Sequence, residues 1–439
     1  MRRVRRPIVL LLAGVAAAAA PAAQAGWSPV ARVAGSARAG TPAVATDARG
    51  DVAVGWFRLG HQRATTALRV AVRRGPQGRF ATHTLLHGTG IALTGLALAL
   101  DERGELTVAW VQRGALGGLE LQGPTGIRAA FRTAGGRWSV ARRVSTISPF
   151  TSALPHLVAR PDRHVLLTFN AGIPSAPGVG YAWRRPGRIF GRVRSLQTGS
   201  RPRGYFLGGF DTGVDAAGRV YVAGVRRCDS GAGVAEVHVA RRGHARLGPR
   251  RVLARGAARD LRLVVQPSDG ATAAWLTAGC STTELLPGAV RSSRVTAGGR
   301  SAAPPVTVAP APATQLSLSG GASGTAELAW TTFGPTAPDG VVQIARMDAG
   351  GAWTAPLGPP DGWVSLAADA GGDQLVADLP PANLGFPSRV AVRTPDGAVT
   401  PSPLRPRFVT TAATALPAGR GIAAATATAR GVRVTSWRP

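Results

Sequence analysis

The sequence predicts an all-β chain folded as a β-propeller of four-stranded blades. A short apolar motif recurs about every 50 residues along the chain, the period of a propeller blade or another repeat architecture. Each copy is bracketed by turn residues and by further strand-like runs. Beyond residue 25, no run shows the 3.6-residue period of an amphipathic helix. The copies give eight blades, with seven as the alternative because the last two are degenerate. Two β-sandwich domains would share the short-strand signal but not the single steady period.

Met1–Ala25 reads as a targeting segment. Arg2, Arg3, Arg5 and Arg6 make a positive start, Ile8–Ala20 an apolar stretch, and Ala23-Gln24-Ala25 a small-x-small cleavage site. The apolar stretch falls short of the roughly 20 residues of a spanning helix. The expectation is a removed signal peptide (residues 1–25) and a single propeller domain over residues 26–439, outside the membrane. A retained anchor is the alternative. No other segment is apolar enough to span. The paired arginines alone make only a weak case for twin-arginine export.

Next comes Trp27-Ser28-Pro29-Val30-Ala31-Arg32-Val33, which resembles the outer strand Trp138-Ser139-Val140-Ala141-Arg142-Arg143-Val144. The last unit stops after a third strand, Val432 to Trp437. The N-terminal strand is therefore expected to pair with the last blade, closing the ring and removing two exposed sheet edges.

The recurring motif is Gly50-Asp51-Val52-Ala53-Val54-Gly55-Trp56. Its later copies are Gly104–Trp110, His164–Phe169, Gly218–Gly224, Gly270–Trp275, Gly324–Trp330, Gly372–Ala377 and Gly421–Ala425. Turns such as Asp47-Ala48-Arg49-Gly50, Asp101–Gly104, Asp215–Gly218 and Asp369–Gly372 precede it. Asp suits the first turn position because its side chain bonds the backbone, and Gly accepts φ > 0 at the last. Short apolar runs ahead of these turns, such as Leu96–Leu100, complete an inner hairpin. A third strand follows, as in Leu68–Arg73, Ile127–Arg132, Val341–Arg346 and Arg389–Arg393. There apolar residues alternate with arginine, the period of a strand buried on one face. Gly-Gly turns before Trp138 and Trp353 lead to a more polar fourth strand. The Pro-rich run 302–312 reads as an edge strand plus loop.

The connections after the second and fourth strands share one face and are the long ones: 114–126, 145–155, 173–180, 198–209, 277–288, 332–340 and 379–388. Long loops on a rigid repeat are where binding usually resides. The best ligand candidates there are Asn170, Arg203, Tyr205, Phe206, Asp229, Glu284 and Phe386. Cys228 and Cys280, the only two cysteines, occupy near-equivalent places in neighbouring units. In an oxidising compartment they are expected to form a disulfide; two free thiols or a metal pair are the alternatives.

No catalytic, cofactor or metal motif stands out. His83 and His87 sit in one strand at a spacing of roughly 13 Å, too far to chelate one ion. The Asp turns lack the ligand density of a calcium loop. Trp56, Trp110, Trp275 and Trp330 close their copies. They could stack sugars, but their regular spacing suits packing between blades. The net charge is +30, and all 52 basic residues are arginine, which attracts polyanions such as acidic glycans, teichoic-type polymers or anionic lipid. The arginines are dispersed and few aromatics interleave with them, so a single-strand nucleic-acid groove is not expected.

The repeat (Gly-x-Val-x-Val-Ala-Trp, a strand, then Gly-Gly-x-Trp) resembles that of secreted bacterial propellers grouped loosely with sialidase-like repeat proteins. Full membership would imply a glycosidase with an arginine cluster, a tyrosine nucleophile and Ser-x-Asp-x-Gly-x-Thr-Trp boxes. No such box is present, and the three tyrosines are Tyr181, Tyr205 and Tyr221. The expected function is an exported, monomeric, non-catalytic scaffold. It would bind a glycan, a cell-envelope polymer or a protein across its long-loop face. A polysaccharide-acting enzyme, sialidase-like or lyase-like, is the alternative.

Overall fold

The computed structural model describes residues 26–28, 30–33, 39–40, 42–47, 49–59, 65–75, 77–88, 92–113, 125–147, 154–170, 179–195, 210–226, 233–240, 247–248, 251–256, 258–266, 270–277, 288–320, 324–334, 337–356, 364–368, 374–378, 389–394, 398–404, 411–415, 422–428 and 431–438. The regular elements among them are β-strands, paired antiparallel. The architecture is propeller-like, with most sheets four-stranded and laid down in chain order.

The first unit shows how sequence makes a sheet. Ala43–Thr46 and Val52–Leu59 form a hairpin, Thr65–Arg73 pairs with the second strand, and Ala81–His87 forms the outer edge. The turn between the first two strands is built as its residues dictate. Gly50 N–H bonds the Asp47 carbonyl at 2.9 Å, and Asp47 Oδ1 accepts the N–H groups of Arg49 and Asp51 at 3.0 and 2.9 Å. Gly50 has φ 77°, as do Gly104 (77°) and Gly218 (75°) in the equivalent turns. The third unit departs from the motif. Arg160 and Arg163 occupy the Asp and Gly positions, and Arg163 holds φ 66° without being glycine. Such a conformation costs a β-carbon-bearing residue about 1–2 kcal/mol.

Among the described side chains, second strands such as Val52–Leu59, Leu106–Arg113 and Gly270–Thr277 are deeply buried. Val52 to Trp56, Leu106 to Trp110 and Ala271 to Leu276 are all at most 2 % exposed where apolar. They are sandwiched between neighbouring sheets. The Phe57, Leu68, Val70 and Val72 side chains of the first unit pack with Leu98, Leu100, Val108 and Trp110 of the second. Trp56, Trp110, Trp275 and Trp330 are buried, so they pack between sheets and offer no exposed stacking surface.

The first strands make a succession of neighbours. Ala43–Thr46 touches Ala92–Leu100, which touches His156–Ala159. Phe210–Val214, Arg259–Gln266, Val306–Gly320, Val364–Ala368 and Thr411–Ala415 follow, and Thr411–Ala415 touches Ala43–Thr46 again. Gly26–Trp27 and Ala31–Arg32 both pair with Gly431–Arg438, with Trp27 opposite Trp437 and Ala31 opposite Val434. Val33, Val432 and Val434 join Val44, Val54 and Trp56 in one apolar cluster.

Two expectations meet a difference. The run 302–312 is strand only from Val306, after an isolated bridge at Ala302. Val306–Gly320 continues as one strand that pairs with Gly288–Val295 and then with Ala326–Gly334, fusing two units into a six-stranded sheet. Its register with Gly288–Val295 shifts twice, which leaves Pro310 and Pro312 unpaired where they have no N–H to give. The stretch 332–340 is also largely strand: Thr332 pairs with Val341 and Gly334 with Ala337.

Candidate functional site

Charged groups tie one unit to the next at both ends of the strands. At the short-turn end the carboxylates hold backbone together. Asp101 Oδ1 accepts the N–H groups of Arg103 and Glu105 at 2.9 and 2.8 Å, and its Oδ2 accepts Nε of Arg163 from the third unit at 3.1 Å. Asp215 Oδ1 accepts the Arg219 N–H at 2.8 Å, and its Oδ2 accepts the Tyr221 hydroxyl at 3.2 Å. The Tyr221 oxygen accepts in turn the Gly298 N–H of the next unit at 3.0 Å. Burial pushes the Asp47 carboxyl and the Tyr221 phenol above their usual values.

Arginines that end the third strand reach back across the interface between units. Arg184 bonds Glu105, and Arg393 Nη1 lies 3.4 Å from Glu327 Oε2. Arg73 Nη2 donates to Ser436 at 2.7 Å. These polar groups are used to bind one sheet to the next.

The opposite end, where the first strands begin, carries a different group of residues. His156 opens its strand and its ring lies 4.7 Å from that of Phe210, tilted by 51°. Asp211 follows Phe210. Its Oδ1 accepts its neighbour Thr212 N–H at 2.8 Å, and its Oδ2 accepts the Leu263 N–H of the next unit at 3.0 Å. Asp260 repeats the device one unit on: its Oδ2 accepts the Leu316 N–H at 3.0 Å. The first strands carry register shifts there, between Arg259 and Arg262 and between Thr314 and Leu316. Bulges of this kind release a ladder N–H and re-aim side chains. Arg262, 39 % exposed in its side chain, lies 3.0 Å from Asp260 Oδ1, and its Nε donates to the Leu316 carbonyl at 3.0 Å. Asp260 holds φ 47°, a left-handed conformation that Asp adopts more readily than most residues. Thr168 and Thr212 share a hydroxyl hydrogen bond at 3.0 Å beneath this group.

Burial holds the His156 imidazole below its ordinary value of 6.5; Asp211 opposes that and Arg262 adds to it. The ring is therefore neutral at pH 7. The two carboxylates are engaged by main-chain donors, whereas Arg262 keeps part of its guanidinium in solvent. Such a set can hold an anionic or hydroxylated ligand. It offers no pair of uncommitted carboxylates for proton transfer.

Asn170 ends its strand two residues beyond Thr168, at this same end, with its main chain paired to Val179. Arg203, Tyr205, Phe206, Asp229, Glu284, Phe386, Cys228 and Cys280 lie outside the described residues. His156, Asp211, Asp260 and Arg262 were not among the residues expected from the sequence. Their signal was present: charged side chains interrupt first strands that are otherwise small and apolar. Among the described residues no group of three or more His, Cys, Asp or Glu could hold a metal ion, and no helix is long and apolar enough to cross a membrane. His83, in strand Ala81–His87, stacks on Trp138.

No protein-family model matches the chain, and no curated protein matches it. Among solved structures, the chain is similar to a prolyl endopeptidase at 15 % identity and TM-score 0.46, covering 90 % of this chain and 54 % of that one. It is similar to a polysaccharide lyase, an ulvan lyase, at 10 % identity and TM-score 0.45, covering 92 % and 95 %. A Hadza microbial sialidase gives 11 % identity and TM-score 0.43 over 85 % and 73 %.

Proposed function

We propose that the chain is an exported, non-catalytic β-propeller of eight blades, closed by pairing of its first and last strands. It binds an acidic glycan or cell-envelope polymer across the face where the first strands begin. The observation that carries this reading is the partly exposed Arg262 at the end where the first strands begin. Carboxylates and arginines at the short-turn end bond one unit to the next. At the opposite end Arg262 and the neutral His156 stand beside the central strands with Asp211 and Asp260 already engaged by backbone N–H groups. The net charge of +30 adds long-range attraction for a polyanion. Residues 1–25 direct export, and the Cys228–Cys280 disulfide staples two loops on the binding face.

The test is binding of the purified protein to a panel of acidic polysaccharides, such as polygalacturonate, hyaluronan and teichoic acid, with product analysis after long incubation. The expected result is saturable binding that weakens with salt, drops in Arg262→Ala and His156→Ala variants, and leaves polymer length unchanged. Depolymerisation, or binding indifferent to both substitutions, refutes the proposal.

A further inference from the structure

Neighbouring units also meet at their outer parts, over an aromatic residue that follows the turn between the third and fourth strands. Trp138, Phe190 and Trp353 hold this place in the second, third and sixth units, each bridged to the end of its own third strand. Between the first and second units the protein fills the space itself. The His83 imidazole lies flat on Trp138, with ring centroids 5.2 Å apart and planes 13° from parallel.

Between the second and third units the same place is a cavity of about 180 Å³, walled by Phe131, Val144, Ile189 and Phe190. Arg184 lines it and is only 1 % exposed. Its Nη1 bonds Glu105, and the Phe131 ring lies 5.0 Å from its guanidinium carbon. Its Nε and Nη2 are buried and have no acceptor among the described residues. Arg142 and Arg143, both exposed, complete the lining. Three arginines thus line the cleft, and no carboxylate is among its described lining residues; Glu105, which bonds Arg184, also lies 3.6 Å from Arg163 Nη2.

We propose that this cleft binds a small carboxylate carried on a flat ring, benzoate being the simplest example. The carboxylate would accept from Nε and Nη2 of Arg184 in the side-on, two-bond geometry that guanidinium and carboxylate share. The ring would take the place against Phe190 that His83 takes against Trp138. The excess of arginine at the rim favours an anion over a neutral ring. This site is separate from the first-strand end and does not depend on what binds there.

The experiment is calorimetric titration of the full chain with sodium benzoate, benzamide and sodium sulfate. Benzoate should bind one to one. Benzamide, of similar shape but uncharged, should bind roughly tenfold more weakly or worse, and sulfate, which has no ring, likewise. Arg184→Met should abolish binding. Because that variant also breaks the pair with Glu105, Ile189→Glu provides the second test. Ile189 is 48 % exposed, so the substitution places a like charge at the rim without disturbing the core. It should weaken benzoate by about tenfold while the unfolding midpoint without ligand stays unchanged. Arg262→Ala should leave benzoate binding intact. Equal binding of benzoate and benzamide, sulfate binding as tightly as benzoate, full affinity in Ile189→Glu, or no benzoate binding at millimolar concentration would each overturn the proposal.

Discussion

Asp101 tests whether the turns are structural joints. Its side chain is buried, and it does two things at once. Oδ1 organises its own turn through two N–H bonds, and Oδ2 receives Arg163 from the next unit. Asp101→Asn keeps an oxygen for the two N–H groups and removes the charge that faces Arg163. Because Arg163 is 25 % exposed, water compensates in part, and the loss should be about 1 kcal/mol. Asp101→Ala removes both functions. The buried Glu105 N–H loses its acceptor, at about 1–3 kcal/mol, whereas water can replace the acceptor of the more exposed Arg103 N–H. With the lost ion pair the total should be about 2–4 kcal/mol. Glu102→Ala, at an exposed position of the same turn, is the control and should cost less than about 1 kcal/mol. Urea unfolding followed by tryptophan fluorescence reads all three variants. If Asp101→Ala and Asp101→Asn unfold at the same midpoint, the turn contribution is absent and the reasoning fails.

The remaining predictions rest on single residues. Arg163→Gly relieves the left-handed backbone but loses the bond to Asp101, so its stability should stay within about 1 kcal/mol of the parent. Arg163→Ala keeps the strain and loses the bond, and should fall about 1–2 kcal/mol lower still; denaturant midpoints of the pair decide this. For His156 the folded pKa lies below the unfolded 6.5, so the unfolded chain binds more protons and stability is lost as pH falls below about 6.5. His156→Phe should lessen the drop in urea midpoint between pH 8 and pH 5, and an undiminished drop would assign it to other groups. Trp330→Ala should destabilise by about 3–5 kcal/mol, because the ring is wholly buried between sheets; a thermal melt near that of the parent would contradict its role in packing. Removing residues 26–33 uncovers the edge of Gly431–Arg438, and the truncated chain should aggregate at concentrations where the parent is monodisperse by light scattering.

The sheets were legible because a strand buried on both faces needs a local signature. Among the described residues a second strand falls on each motif copy, including the degenerate ones at Gln374–Asp378 and Ile422–Thr428. The Asp and Gly turns were legible because their bonds are made within four residues. The pairing of Trp27 with Trp437 could be reached by counting strands, since a third strand without a fourth leaves an edge to cover. The charged residues around His156 stood out in their strands, but their coming together was not legible. They come from three units, and what joins them is backbone freed by bulges at positions such as Asp260, which leave no regular trace in sequence. The fused strand Val306–Gly320 was obscured because prolines usually mark a break, whereas here they sit at shifts of register.

The pairing of Gly26–Trp27 with Gly431–Arg438 also governs when the molecule can finish folding. Ribosomes extend a chain at roughly 5–20 residues per second, so the segment around Trp27 waits on the order of tens of seconds for a partner 408 residues further on. Until then the sheet that needs both ends lacks a strand, and its interior valines stay wet. The clasp therefore acts as a timer, and that edge stays open until residues 431–438 have been made.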